Sequence, residues 1–128
     1  MPLTEFCEFT PEKHDLGDGK PPLKGAMWFN VIDQPVFAVA GFWQRTEEGN
    51  GFTMVTCDPN TLVAPIHPKA MITILDPADV DTWLRGSYDE ATALQKPYDP
   101  NKGSVHRTDP DIRSHDCHLR CWPSLLLR

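Results

Sequence analysis

Apolar and polar positions alternate across residues 3–9. This places Glu5, Cys7 and Phe9 on one face of a strand and Phe6 and Glu8 on the other. Residues 10–24 are polar and carry Gly17, Gly19, Pro21 and Pro22, which predicts an exposed loop. Two apolar runs, 28–32 and 36–43, flank Asp33, Gln34 and Pro35 and predict a hairpin, with the second run (VFAVAGFW) as a fully buried strand. A turn over 45–51 and a strand over 52–57 follow. Asp58, Pro59 and Asn60 open a short helical turn or loop leading to His67, and residues 71–75 predict a further strand.

The helical signals come next. Asp76 is placed as an N-cap, Pro77 suits the first helical position, and Asp79 adds negative charge to the first turn. Val80, Trp83 and Leu84 supply an apolar face, and Gly86 ends the helix. Ser87 with Glu90 is a capping-box spacing, predicting a second short helix to about Gln95. Residues 97–102 read as a loop and 105–108 as a last strand. The fold class that results is α+β: a mainly antiparallel, barrel-like sheet with two short helices.

Composition changes this picture little. Thirteen prolines are about twice the usual share, which favours a loop-rich β or α+β fold over a bundle. The net charge of −6 argues against nonspecific nucleic-acid binding, which needs a basic footprint, though not against a local basic groove. The chain has no apolar run near the ~20 residues of a membrane span, and its first residues lack a basic, then apolar, leader pattern. A cytoplasmic protein with no membrane partner is expected. Four cysteines, Cys7, Cys57, Cys117 and Cys121, are few for a disulfide scaffold and read as free thiols. Residues 109–128 fit poorly with what precedes them and read as an atypical tail. His115, Cys117, His118 and Cys121 crowd into that tail without a second ligand pair at zinc spacing, so no metal is expected. Phosphate loops, dinucleotide fingerprints and Ser-His-Asp signatures are absent, and no cofactor is expected.

Four stretches in fixed order carry a resemblance: PLTEFCEF, QPVFAVAGFWQ, GFTMVTCDPNTLVAPIH and ITILDPADVDTWL. Together they resemble the SOS-response-associated peptidase (SRAP) family over roughly residues 2–108. The resemblance implies a partial SRAP fold, with residues 1–108 as the C-terminal part of the domain. It also implies a chemistry. The family's N-terminal cysteine, exposed by self-removal of the initiator methionine, attacks the aldehyde of an abasic site in single-stranded DNA. Its amine and thiol close a thiazolidine ring over the lesion. This chain begins Met-Pro, and the expected reading is a sequence that lacks the nucleophile, either a genuine fragment or a chain with a misplaced start, monomeric, with single-stranded abasic DNA as the family's partner. The other reading is a non-catalytic remnant or a small structural or binding β domain.

The resemblance assigns Glu8 to the family's catalytic glutamate and His67 to its histidine. A carboxylate beside aromatics can have a raised pKa and move protons near neutral pH, and an imidazole can relay them. Thr56 corresponds to a threonine that supports the site. Lys69 stands where the family usually has a phosphate-binding arginine; it keeps the charge but not the bidentate fork. Phe9 stands where a tryptophan is common and can stack on a base. Taken without the resemblance, each residue has a plain alternative. Glu8 is then a solvated strand carboxylate, His67 a hydrogen-bonded structural imidazole, Thr56 a β-branched strand residue, and Phe9 a core residue.

Overall fold

The computed structural model describes residues 1–15, 17, 19, 21–47, 49–108 and 120–121. Its main sheet is antiparallel and is built around β1 (Pro2–His14), which pairs with β2 (Leu23–Val31) on one side. On the other side β1 pairs with β3 (Phe37–Val39), and the short β10 (Arg120–Cys121) pairs with β1 at Leu3 and Glu5, opposing Leu3 from the side away from β3. The sheet is completed by β8 (Ile74–Leu75) beside β3 and β9 (Gly103–Thr108) beside β2. The expected antiparallel α+β class is what the chain adopts, with the sheet curled into a half-barrel.

The first strand runs further than its alternating pattern predicts, into the expected loop. Thr10 explains why. Its buried hydroxyl accepts from the Gly25 N–H at 2.9 Å and donates to the Glu12 carbonyl at 3.0 Å. The register between β1 and β2 shifts between Phe9 and Lys13, and this side chain satisfies a backbone donor that the shift would otherwise strand.

The expected hairpin between residues 28–32 and 36–43 does not form. β2 pairs with β1 and β9, while β3 pairs with β1 and β8. The Val31–Gln34 bridge ties the first run only to the turn that follows it. Asp33, at φ 61°, makes a left-handed turn there, and the chain leaves for the far side of β1. The second run is also not one buried strand. It bends at Ala40, which divides buried β3 from exposed β4 (Gly41–Thr46).

That bend is one of three at a single junction. β5 (Gly49–Met54) gives way to β6 (Thr56–Cys57) at Val55, and β7 (Met71–Ile72) to β8 at Thr73. The three bend residues bond in a ring: Val55 N–H to the Ala40 carbonyl at 3.0 Å, Ala40 N–H to Thr73 at 2.9 Å, and Thr73 N–H to Val55 at 2.9 Å. Ala40 and Thr73 are fully buried, so the backbone polar groups exposed by bending are satisfied by one another. Beyond the junction, β4 and β5 pair, among the described residues, only with each other, and β6 pairs with β7.

The core lies on the concave side of the main sheet. Phe6 stacks on Phe29, with ring centres 5.0 Å apart, and meets Phe37 edge-on at 6.5 Å. Met71 of β7 and, from the loops, Val63 and Tyr98 close the cluster. Cys57 is a free thiol, whereas Cys7 is held in a disulfide, which corrects the expectation of four free thiols at that position.

Both expected helices are present. A 3₁₀ turn at Pro77–Asp79 runs into α1 (Val80–Arg85), which ends at Gly86. Asp76 does not cap through its side chain. Its carboxylate instead accepts from Lys102 Nζ at 3.0 Å and from the Tyr98 hydroxyl at 3.4 Å. Of the expected apolar face of α1, Trp83 turns inward and donates to the Gly41 carbonyl at 3.0 Å, while Leu84 is exposed. Helix α2 (Tyr88–Ala93) carries the full capping box: Glu90 N–H donates to Ser87 Oγ, and Ser87 N–H to Glu90 Oε2. No helix among the described residues is long and apolar enough to cross a membrane. The expected tail 109–128, with the His115–Cys121 cluster, lies outside the described residues apart from the two that form β10.

Candidate functional site

Glu8 owes its position to β1. It shares a strand face with Phe6, two residues before it, and Phe6 is locked into the core against Phe29. Opposite Glu8 on β2 sits Met27, which packs on the same core. The carboxylate therefore leaves the sheet at the edge of an apolar surface.

His67 is brought to it by a compact turn that begins at Asn60. The buried Asn60 side chain accepts from the N–H groups of Leu62 at 3.1 Å and Val63 at 3.0 Å. Its amide donates to the Tyr98 carbonyl at 2.8 Å. Val63 is buried, and its carbonyl accepts from both Ile66 N–H and His67 N–H at 2.9 Å. This chain of bonds fixes the turn to the core and sets the direction in which the imidazole leaves it. Sequence reasoning found the turn but missed Asn60 as the residue that holds it. The available signal was an asparagine after a proline at a helical-turn start, where such side chains bond nearby backbone N–H groups.

The two side chains meet at 3.4 Å, His67 Nδ1 to Glu8 Oε2. That is ion-pair distance, but the groups are not aligned as a hydrogen bond and Nδ1 has no other partner. The Glu8 side chain is 22% exposed and that of His67 42%, so the pair is half-buried at the rim of the sheet. Burial pushes the Glu8 carboxyl above its ordinary value, and the attraction of His67 pulls the other way without cancelling it. A carboxyl whose proton is held more tightly than usual beside an imidazole, open to solvent on one side, is a pair that can exchange protons with a bound molecule.

The remaining expected site residues do not join this pair through hydrogen bonds or ion pairs among the described residues. Thr56 begins β6 and is exposed; its carbonyl accepts from Gln95 Nε2 at 2.7 Å. Lys69 is exposed on the segment after His67. Phe9 follows Glu8 but points to the opposite face of β1, half exposed, and is not a core residue. Neither cysteine with a described side-chain state is an activated nucleophile. Cys7 is in a disulfide, and burial pushes the Cys57 thiol up, which lowers its thiolate fraction. A cavity of about 220 Å³ lies elsewhere, lined by residues that include Asp76, Asp79, Leu94 and Tyr98 and neither member of the pair.

Comparison with known proteins gives this geometry a context. The family model described as SOS response associated peptidase (SRAP) matches residues 2–115. A solved structure of a protein from Bacteroides thetaiotaomicron superposes with a TM-score of 0.70 at 26% identity, covering 87% of this chain and 49% of that one. A second, from Bordetella bronchiseptica, gives a TM-score of 0.66 at 22% identity, covering 85% of this chain and 53% of that one, and supports the fold alone. The chain thus spans about half the length of these structures. No curated protein matches it.

Proposed function

The chain belongs to the SOS response associated peptidase (SRAP) family, and from that premise we propose that it supplies the proton-transfer half of a site acting on abasic single-stranded DNA. The observation that carries this reading is the 3.4 Å approach of Glu8 and His67. In the proposed reaction an amine adds to the lesion's aldehyde carbon. The protonated Glu8 carboxyl donates to the resulting hydroxyl, which leaves as water and gives an imine. A thiol on the same residue as the amine then adds to the imine carbon and closes a five-membered ring. His67 takes up the proton released by the amine and passes it back through the pair. Amine, aldehyde and thiol thus become a thiazolidine and one water, with no redox step.

The amine and thiol belong, in this proposal, to the part of the domain that residues 1–108 do not contain. The half-length match to the solved structures supports that division, as does the state of Cys7 and Cys57. Lys69 and Phe9 are exposed and so available to a phosphate and a base; Thr56, on β6, is proposed as a supporting residue.

The test is a time course of adduct formation with abasic single-stranded DNA. This chain alone should form no heat-stable adduct. A fusion carrying a family-like segment that begins Met-Cys ahead of Met1 should form one. Glu8→Gln in that fusion should slow it by roughly 10²–10⁴-fold, the usual contribution of a positioned acid–base group. An unchanged rate in Glu8→Gln would remove the catalytic role and leave a structural strand residue in a non-catalytic β domain.

A further inference from the structure

The β4–β5 ribbon is the least accounted-for part of the molecule. Among the described residues its two strands pair only with each other. Trp43 and Phe52 face one another across it, and each is 69% exposed. Phe42 lies on the opposite face, 59% exposed. An isolated two-stranded ribbon is marginal in water, and exposed aromatics on both of its faces form a patch that soluble monomers rarely leave open. The ribbon's base is fixed: the Trp83 indole bonds the Gly41 carbonyl, and a Cβ on Gly41 would come within 2.7 Å of the Thr53 carbonyl oxygen. It is therefore held in place, with exposed aromatics on both faces and, among the described residues, no further strand on either outer edge.

We infer that this ribbon is the seam on which the complementary part of the domain docks: a β-forming polypeptide about as long as this chain, bringing strands to the ribbon edges and apolar side chains onto Trp43, Phe52 and Phe42. Three observations choose this occupant. The solved structures that match nearly all of this chain are about twice its length. The aromatics lie on both faces, whereas a stacked base or a two-fold contact with a second copy covers one. Arg45 is the ribbon's only cation, beside Glu47 in a chain of net charge −6, which disfavours phosphate. The inference rests on the division of the domain proposed above and not on the chemistry of Glu8 and His67.

The experiment mixes this chain with the part of the Bacteroides thetaiotaomicron protein that it leaves unmatched, expressed as a separate polypeptide. Titration calorimetry reads affinity and stoichiometry, and hydrogen exchange reads the site. The expected result is a one-to-one complex that protects the amides of residues 41–54. Trp43→Ser with Phe52→Ser should weaken it by roughly 30-fold or more, as loss of aromatic anchors does. Leu84→Ser with Tyr88→Ser, exposed on the helices, should leave it unchanged. Circular dichroism of each variant alone checks that the exposed substitutions leave the fold intact. Absence of a complex, protection confined to other segments, equal weakening by both variant pairs, or ribbon protection by self-association of this chain alone would each overturn the seam. A docked complex that forms no adduct with abasic DNA would overturn the proposed chemistry and leave the seam standing.

Discussion

Phe29→Ala should remove the structural anchor of the candidate site. Phe29 is 1% exposed, stacks on Phe6 at 5.0 Å, and pairs with it in the β1–β2 register that also sets Glu8 opposite Met27. Truncating a fully buried phenylalanine costs about 3–5 kcal/mol, part of it the cavity left behind and about 0.5–1.5 kcal/mol of it the aromatic pair. A whole domain has only about 5–15 kcal/mol to lose. With a urea slope of about 1–3 kcal/mol/M, the midpoint should fall by roughly 2 M. Phe52→Ala is the internal control. The same side chain, 69% exposed on the ribbon, should change stability by no more than about 0.5 kcal/mol. Urea titrations followed by far-ultraviolet circular dichroism compare the three proteins directly. A Phe29→Ala midpoint within about 0.5 M of the parent, or a Phe52→Ala loss of equal size, would refute the placement of the core on the concave side of β1 and β2.

Glu8→Gln should change the pH dependence of stability in a defined direction. The folded-state carboxyl is raised above its ordinary value of 4.5, so the folded protein binds that proton more tightly than the unfolded chain. Stability from this group is present below that value and is lost as pH rises through the raised one; Glu8→Gln removes that loss, and the difference between parent and variant urea midpoints from pH 4 to 8 should favour the variant increasingly as pH rises. A difference running the other way would show that His67 outweighs burial. Asn60→Ala should cost about 1–3 kcal/mol, because it leaves the Leu62 and Val63 N–H groups and the Tyr98 carbonyl without their partner; amide exchange over residues 62–67 should rise with it, and unchanged exchange there would mean that the turn is held by other means. Ser87→Ala should lose about 1 kcal/mol with the capping box, read as faster exchange in α2 alone; no change would show that packing and not the cap holds the helix.

What the sequence decided by itself is local. The alternation over residues 3–9 put Phe6 and Glu8 on one face, and the fold keeps them there because successive strand residues must point oppositely. The capping box of Ser87 and Glu90 and the stop at Gly86 appear as read, since their partners lie within one helical turn. The antiparallel α+β class followed from many such short elements. What only tertiary structure decided is which elements meet. Two apolar runs joined by a three-residue turn read as a hairpin, yet Asp33 turns the chain away and β1 slots between them. Hydrophobic period reports which face a strand buries and says nothing of its neighbour. The run VFAVAGFW is uniformly apolar, so its pattern cannot show that it bends at Ala40, where bonds from Val55 and to Thr73 close a junction between distant segments. The approach of Glu8 to His67 is of the same kind. It depends on Asn60 reaching the Tyr98 carbonyl and on Val63 filling the core, contacts between residues far apart in the chain. The raised Glu8 carboxyl follows from that burial, because desolvation is a property of the surroundings and not of the residue.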